Sequence, residues 1–191
     1  YSKKEFFQEH KDCKSALEVC SGPGFIGFYL YETLNLDFVN FVDINNEVKE
    51  SVDKTIKHNK VVGSFFESDA LESYTGEKVD LIVLNPPFFT TEKEFTEHVK
   101  ITGVEDKETI ERSRLIVLDK DFKFHSKLIN KCFDMLTDNG RIVFLEAIDR
   151  IDPSKILKEF KTSYTNSYKE FKVANKITNY YTLTIYKKWY L

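Results

Sequence analysis

Residues 79–89 read VDLIVLNPPFF. Val79, Leu81, Ile82, Val83 and Leu84 make an apolar, partly β-branched run of the length of a buried strand, and the run breaks at Asn85-Pro86-Pro87. Neither proline has an N–H to give to a ladder, so a central strand ends here. A terminator followed by a core aromatic would account for the prolines and for one ring. It leaves the carboxamide of Asn85 and the second of the two rings, Phe88 and Phe89, without a purpose.

The same alternation extends along the chain. Strands are expected at 15–20, 38–43, 61–66, 79–84, 141–146, 164–172 and 177–187, and helices at 25–34, 46–59, 121–136 and 153–160. In the third helix His125, Leu128, Ile129, Cys132, Phe133 and Leu136 recur at spacings of three and four, with Asp138-Asn139-Gly140 as its stop. Strands alternating with amphipathic helices imply an α/β fold whose sheet is covered by helices on both faces. No helix is expected between the last two strands, which predicts a C-terminal antiparallel hairpin and makes the whole a seven-stranded mixed sheet. Residues 90–120, polar and charged around Gly103, show the least regular pattern and are expected to form a long mobile loop.

Composition bounds the function. The chain has 191 residues, 41% hydrophobic and 15% aromatic, enough for one substantial core; residues 1–14 read as a lead-in and 15–191 as a single domain. No apolar run is long enough to span a bilayer, and Cys13, Cys20 and Cys132 form neither a paired set nor a metal spacing. A soluble cytoplasmic protein without a metal is therefore expected. With 28 basic and 31 acidic residues the net charge is −3, which argues against a general nucleic-acid binder. A local basic group at Arg112, Arg114, Lys120, Lys123 and Lys127 is a candidate phosphate-facing patch, although spaced charges of this kind more often form a solvated surface.

Each of the first four strands ends in residues suited to a ligand. The first runs through Glu18 and Cys20 into Ser21-Gly22-Pro23-Gly24, a turn that lets a ligand approach the backbone at a helix start. The second ends in Asp43, whose carboxylate can accept both hydroxyls of a ribose, and the third is followed by Ser68-Asp69-Ala70, where Asp69 can receive an adenine amino group. Parallel order brings all of these, with Asn85-Pro86-Pro87-Phe88, to one carboxyl edge. In this combination the sequence resembles the class I S-adenosylmethionine-dependent methyltransferases. LEVCSGPGFIG is similar to their first motif, FVDINN to the second, ESDAL to the third and VLNPPFF to the fourth, catalytic motif of amino-methylating members. The region around residues 114–147 resembles the release-factor glutamine methyltransferases.

The resemblance implies a Rossmann-like fold, S-adenosylmethionine held by Glu18, Cys20, Gly22, Gly24, Asp43, Ile44, Asp69, Ala70 and Asn85, and catalysis by Asn85, Pro86, Pro87 and Phe88. Cys20 stands where the family usually has a glycine. The expected acceptor is a protein glutamine amide or the exocyclic amino group of a nucleic-acid base, and the N-terminal helical domain that the release-factor enzymes usually carry for docking substrate is expected to be absent, trimmed or supplied in trans by a partner subunit. The lone pair of such a nitrogen is delocalised. The Asn85 carboxamide oxygen and the Pro86 carbonyl can each accept one of its N–H groups, with the prolines fixing the geometry and Phe88 stacking on the planar group. A nicotinamide-dependent oxidoreductase shares the glycine turn and the ribose acid but leaves Asn-Pro-Pro-Phe unexplained. A non-catalytic cofactor-binding subunit has no use for an intact loop. His125 is expected to be a packed or capping residue.

Overall fold

The computed structural model describes residues 8–147, the positions Ile151, Ser154, Ile156 and Lys158, and residues 166–171 and 180–187. Its elements are β1 (Ser15–Val19), α1 (Phe25–Leu34), β2 (Phe38–Asp43), α2 (Lys49–Asn59), β3 (Phe65–Glu67), β4 (Val79–Leu84), α3 (Glu92–Thr102), α4 (Lys107–Val117), α5 (Lys123–Cys132), β5 (Leu136–Ala147), β6 (Asn166–Phe171) and β7 (Tyr180–Tyr186). The strands form one mixed sheet in the order β3-β2-β1-β4-β5-β7-β6. Pairs within β1 to β5 are parallel, while β7 runs antiparallel to both β5 and β6. The chain steps outward from β1 to β3 and then returns to place β4 on the other side of β1, so the strand order reverses between β1 and β4. Open α/β sheets hold their ligands outside the carboxyl ends of the strands at such a point.

Strand periodicity sorts the core into two layers. Leu17, Val19, Val42, Ile82, Leu84, Ile142 and Phe144 pack on one face with Leu128, Ile129 and Cys132 of α5. Ala16, Val39, Phe41, Leu81, Val83 and Val143 pack on the other with Leu30 and Leu34 of α1 and Val52 of α2. Successive residues of each strand alternate between the layers, as a pleat with both faces buried requires. Residues before β1 join this body: Cys13 is 1% exposed, and the Arg141 guanidinium bonds the Glu9 carbonyl at 2.7 Å and pairs with Asp12.

Several expectations need correction. Residues 90–120 are two capped helices and not a loop. In α3 the Thr91 hydroxyl takes the Glu94 N–H at 3.2 Å while the Glu94 carboxylate takes the Thr91 N–H at 3.1 Å, a reciprocal capping box. In α4 the Asp106 carboxylate accepts the Thr109 N–H at 2.8 Å. Phe95 is the only buried residue of α3 and α4 has none, so neither helix carries the apolar stripe on which periodicity relies. The helix expected at 121–136 is shorter; a 3₁₀ turn, Phe133–Met135, follows it, and Asp138-Asn139-Gly140 lies inside β5. The strand expected at 61–66 is regular only from Phe65, and the helix expected at 153–160 lies mostly outside the described residues.

The late start of β3 has a steric correlate at Gly63. A Cβ there would stand 1.8 Å from the Val39 carbonyl oxygen, because β2 approaches to bond Val62 and Ser64 through the N–H groups of Val39 and Phe41. Gly63→Ala should therefore part this edge and lower stability by about 2–3 kcal/mol. Gly103→Ala, which meets nothing within 4 Å but must hold φ at +68°, should cost only about 1 kcal/mol. Thermal midpoints of the two variants check the order.

Candidate functional site

The turn after β1 runs in the left-handed region, with φ of +56° at Cys20, +49° at Gly22 and +82° at Gly24. Glycine takes this conformation freely, whereas Cys20 holds it at a cost of roughly 1 kcal/mol. Asp43, at the end of β2, organises the turn: one carboxylate oxygen accepts the Gly22 N–H at 2.7 Å and the other the Asn45 N–H at 2.8 Å. Beneath it lies Glu18, 2% exposed, whose Oε2 accepts the Gly27 N–H at 2.7 Å in the first turn of α1. Burial pushes the Glu18 acid up to about 8 against the opposing pull of the Gly27 and Ile26 amides. Burial also pushes the Cys20 thiol up, and the charges of Asp43 and Glu146 add to the effect, so Cys20 stays a neutral thiol and not a nucleophile.

A cavity of about 150 Å³ opens over this edge, lined by Cys20, Asp43, Ile44, Asp69, Ala70 and Pro87 together with Ser68, Leu115, Leu118 and Phe124. Six of the expected site residues thus share one space. Glu18, Gly22, Gly24, Asn85, Pro86 and Phe88 are not in its lining. Gly22 contributes its amide to Asp43, and Gly24 forms the cap of α1. Ile44 is 59% exposed, an apolar side chain left facing out at a strand end. The Asp69 carboxylate is paired with Lys127 at 2.6 Å, and Lys127 also reaches Glu72 at 3.0 Å.

Beyond Pro87 the Asn85 carboxamide is exposed and makes no hydrogen bond among the described residues, while Pro86 is buried. The loop is pinned further on. Phe89 is fully buried, donates its N–H to the Val117 carbonyl at 2.9 Å and receives the Asp119 N–H at 2.8 Å, a parallel bridge to the strip that leaves α4. Phe88 packs on Phe89 with ring centroids 4.6 Å apart and stays partly exposed. The two phenylalanines therefore divide the work, one anchoring and one presented.

His125 is wholly buried, its Nδ1 2.6 Å from Asp119 Oδ2 and its Nε2 2.8 Å from Glu146 Oε1. Burial pulls the imidazole down, but the two carboxylates outweigh it and the net direction is up. Neither carboxylate was singled out by the sequence, although both lie in the 114–147 stretch that resembles the release-factor enzymes, because nothing in their local pattern pairs them with His125. Leu115, Leu118 and Phe124 were missed as well, because α4 and the start of α5 were not placed against the site. The signals that could have shown residues 90–120 to be helical were Thr-Thr-Glu-Lys-Glu at 90–94, a capping-box pattern, and Asp106 ahead of Lys107–Val117, a cap for the helix that carries Leu115. Among the described residues no group of His, Cys, Asp and Glu is arranged to hold a metal, and no helix is long and apolar enough to cross a membrane.

Comparison with known proteins gives consistent similarities. The methyltransferase small domain family matches residues 5–106. A release factor glutamine methyltransferase of Clostridium botulinum is 31% identical over 160 residues, 80% of this chain and 54% of that protein. Ribosomal RNA small subunit methyltransferase C of Haemophilus ducreyi is 34% identical over 74 residues, 39% of this chain and 22% of that protein. The chain thus spans about half, or less, of the curated relatives it matches. A methyltransferase from Pyrococcus furiosus shares the fold, with a TM-score of 0.64 at 18% identity over 97% of this chain and 81% of that one.

The upward shift at Glu18 has a definite sign. A group whose acid is weaker folded than unfolded contributes stability below its unfolded value and loses it as pH rises through the folded value, here about 8. The thermal midpoint should fall between about pH 5 and pH 9, and Glu18→Gln should flatten part of that slope. An unchanged slope would mean that Glu18 is ionised throughout.

Proposed function

The chain belongs to the methyltransferase small-domain family, and on that footing we propose that it transfers the methyl group of S-adenosylmethionine to a planar NH₂ group, the side-chain amide of a glutamine in a protein. The observation that carries this reading is the exposed Asn85 carboxamide, without a hydrogen-bond partner among the described residues, on the same sheet edge as the Asp43-bound glycine turn. A structural cap would have spent its carboxamide on the backbone.

The residues fit the cofactor. The carboxylate oxygens of Asp43 each hold one amide and keep a lone pair for a ribose hydroxyl, while Ile44 and Ala70 offer apolar surface to an adenine near Asp69. Bound there, S-adenosylmethionine supplies an electrophilic methyl group on a sulfonium. A space of about 150 Å³ is below the ~300–1,000 Å³ of typical small-molecule sites, so the wall formed by Leu115 and Leu118 must yield on binding. Asn85 Oδ1 and the Pro86 carbonyl each accept one N–H of the acceptor, which localises the nitrogen lone pair. The fixed φ of Pro86 and Pro87 holds the two acceptors in place, and Phe88 stacks on the planar amide. The proton of the product leaves to solvent, and no side-chain base is required.

The surroundings favour a protein acceptor over a nucleic acid. Arg112 pairs with Glu47 and Glu108, Arg114 with Glu92 and Glu111, and Lys127 with Asp69 and Glu72. Three of the cations suggested for a phosphate patch are thus answered by carboxylates. Electrostatic binding to phosphates would have to compete with these pairs.

The test is transfer of labelled methyl from S-adenosylmethionine into a cell extract. Label should enter material sensitive to protease and resistant to nuclease. Asn85→Ala should lower the rate about a hundredfold while the thermal midpoint and cofactor affinity change little. Nuclease-sensitive label would replace the glutamine with a base, and an active but destabilised Asn85→Ala would mean that the carboxamide is a structural cap.

A further inference from the structure

The Asp119–His125–Glu146 chain has no part in the methyl-transfer scheme, yet it joins the elements that build the site. The Asp119 N–H bonds the Phe89 carbonyl, immediately after the Asn85 loop. The Asp119 carboxylate accepts the N–H groups of Phe124 and His125 at 2.7 and 3.0 Å and so caps α5 from outside. His125 then bridges to Glu146 near the end of β5, beside β4. Phe122 stacks on the imidazole with centroids 4.3 Å apart and planes 11° apart, and Phe124 lines the cavity. Asp121 and Phe122 both hold φ of +60°, a costly backbone for two successive non-glycine residues.

Proton counting shows what holds this arrangement together. Both imidazole nitrogens lie within hydrogen-bond distance of a carboxylate oxygen, so both bonds exist only if the trio carries one proton more than a neutral histidine between two carboxylates. Whether that proton resides on His125 or on Glu146, the total is the same. Glu146 Oε2 is buried without a hydrogen-bond partner among the described residues, which penalises a lone charge on Glu146 and favours retaining the proton. Asp119 and Glu146 are the charged groups that act on His125, and Asp119 and His125 those that act on Glu146. Loss of the proton leaves a lone pair facing a buried carboxylate and breaks one link of the chain.

We propose that His125 is a positioning residue whose shared proton locks the 117–124 strip, and with it Phe124 and the Asn85 loop, into the geometry used for methyl transfer. The positioning role rests on the function proposed above, whereas the lock itself does not.

Two readouts separate them. Amide exchange at Asp119 and Phe124 in the intact chain should rise about tenfold beyond its intrinsic pH dependence as the trio loses its proton, and single-turnover transfer should fall over the same interval with cofactor affinity nearly constant. In Glu146→Gln the side-chain NH₂ can donate to Nε2 of a neutral imidazole. Both pH effects should then vanish, with the rate at neutral pH within about threefold of the parent. His125→Gln should lose about tenfold in rate per folded molecule without matching loss of cofactor affinity. Retention of both pH effects in Glu146→Gln, or a parent-like rate in His125→Gln, would overturn the proposal. A parent that shows the pH-linked exchange but transfers no methyl group to any acceptor would sink the proposed function and leave the lock supported.

Discussion

The Asp43 carboxylate, with one oxygen on the Gly22 amide and the other on the Asn45 amide, ties the turn after β1 to the turn after β2. Hydrogen bonds to a charged group are worth about 1.5–3 kcal/mol each. Here they hold a turn in which Cys20 adopts a left-handed conformation at some cost. Because β1 and β2 are adjacent and parallel, the same contact fixes the floor of the crevice that opens where the strand order reverses. Glu18 supports the turn from below through Gly27, and the cavity lies above it.

The Asn85 loop depends on a second set of constraints. Its prolines limit the backbone, but its position comes from Phe89, buried and bonded on both sides to residues 117–119, and from the α3 capping box that begins two residues later. The polar atoms of Asn85 can stay uncommitted because the residues after it carry the structural load. This division suits a proposed clamp, which has to keep unsatisfied acceptors rigid before the acceptor nitrogen arrives. The trio of Asp119, His125 and Glu146 extends the constraint from the loop to α5 and β5.

Much of this was legible in the sequence because it is local. Buried parallel strands are short continuous apolar runs, and Gly22, Gly24, Asp43 and Asn85-Pro86-Pro87 announce themselves by residue type at strand ends. What was not legible either lacks an apolar stripe or depends on contacts that only the fold makes. Helices α3 and α4 bury a single residue, Phe95, so they carry a weak stripe, and they are held instead by caps and by ion pairs such as Arg114 to Glu92. The role of His125 was read as packing because its stripe position is apolar. Its partners, Asp119 and Glu146, lie 6 and 21 residues away and only the fold brings them together. Leu115, Leu118 and Phe124 reach the cavity for the same reason.

The central claim is that the Asp43-bound crevice is the S-adenosylmethionine site, and calorimetric titration of the parent and of Asp43→Ala tests it most directly. The parent should bind S-adenosylmethionine, and the variant should bind it about ten- to a hundredfold more weakly, since it loses both a charge-assisted ribose contact and the brace on Gly22. Equal affinity of a folded Asp43→Ala variant, or no binding by the parent, would contradict the account.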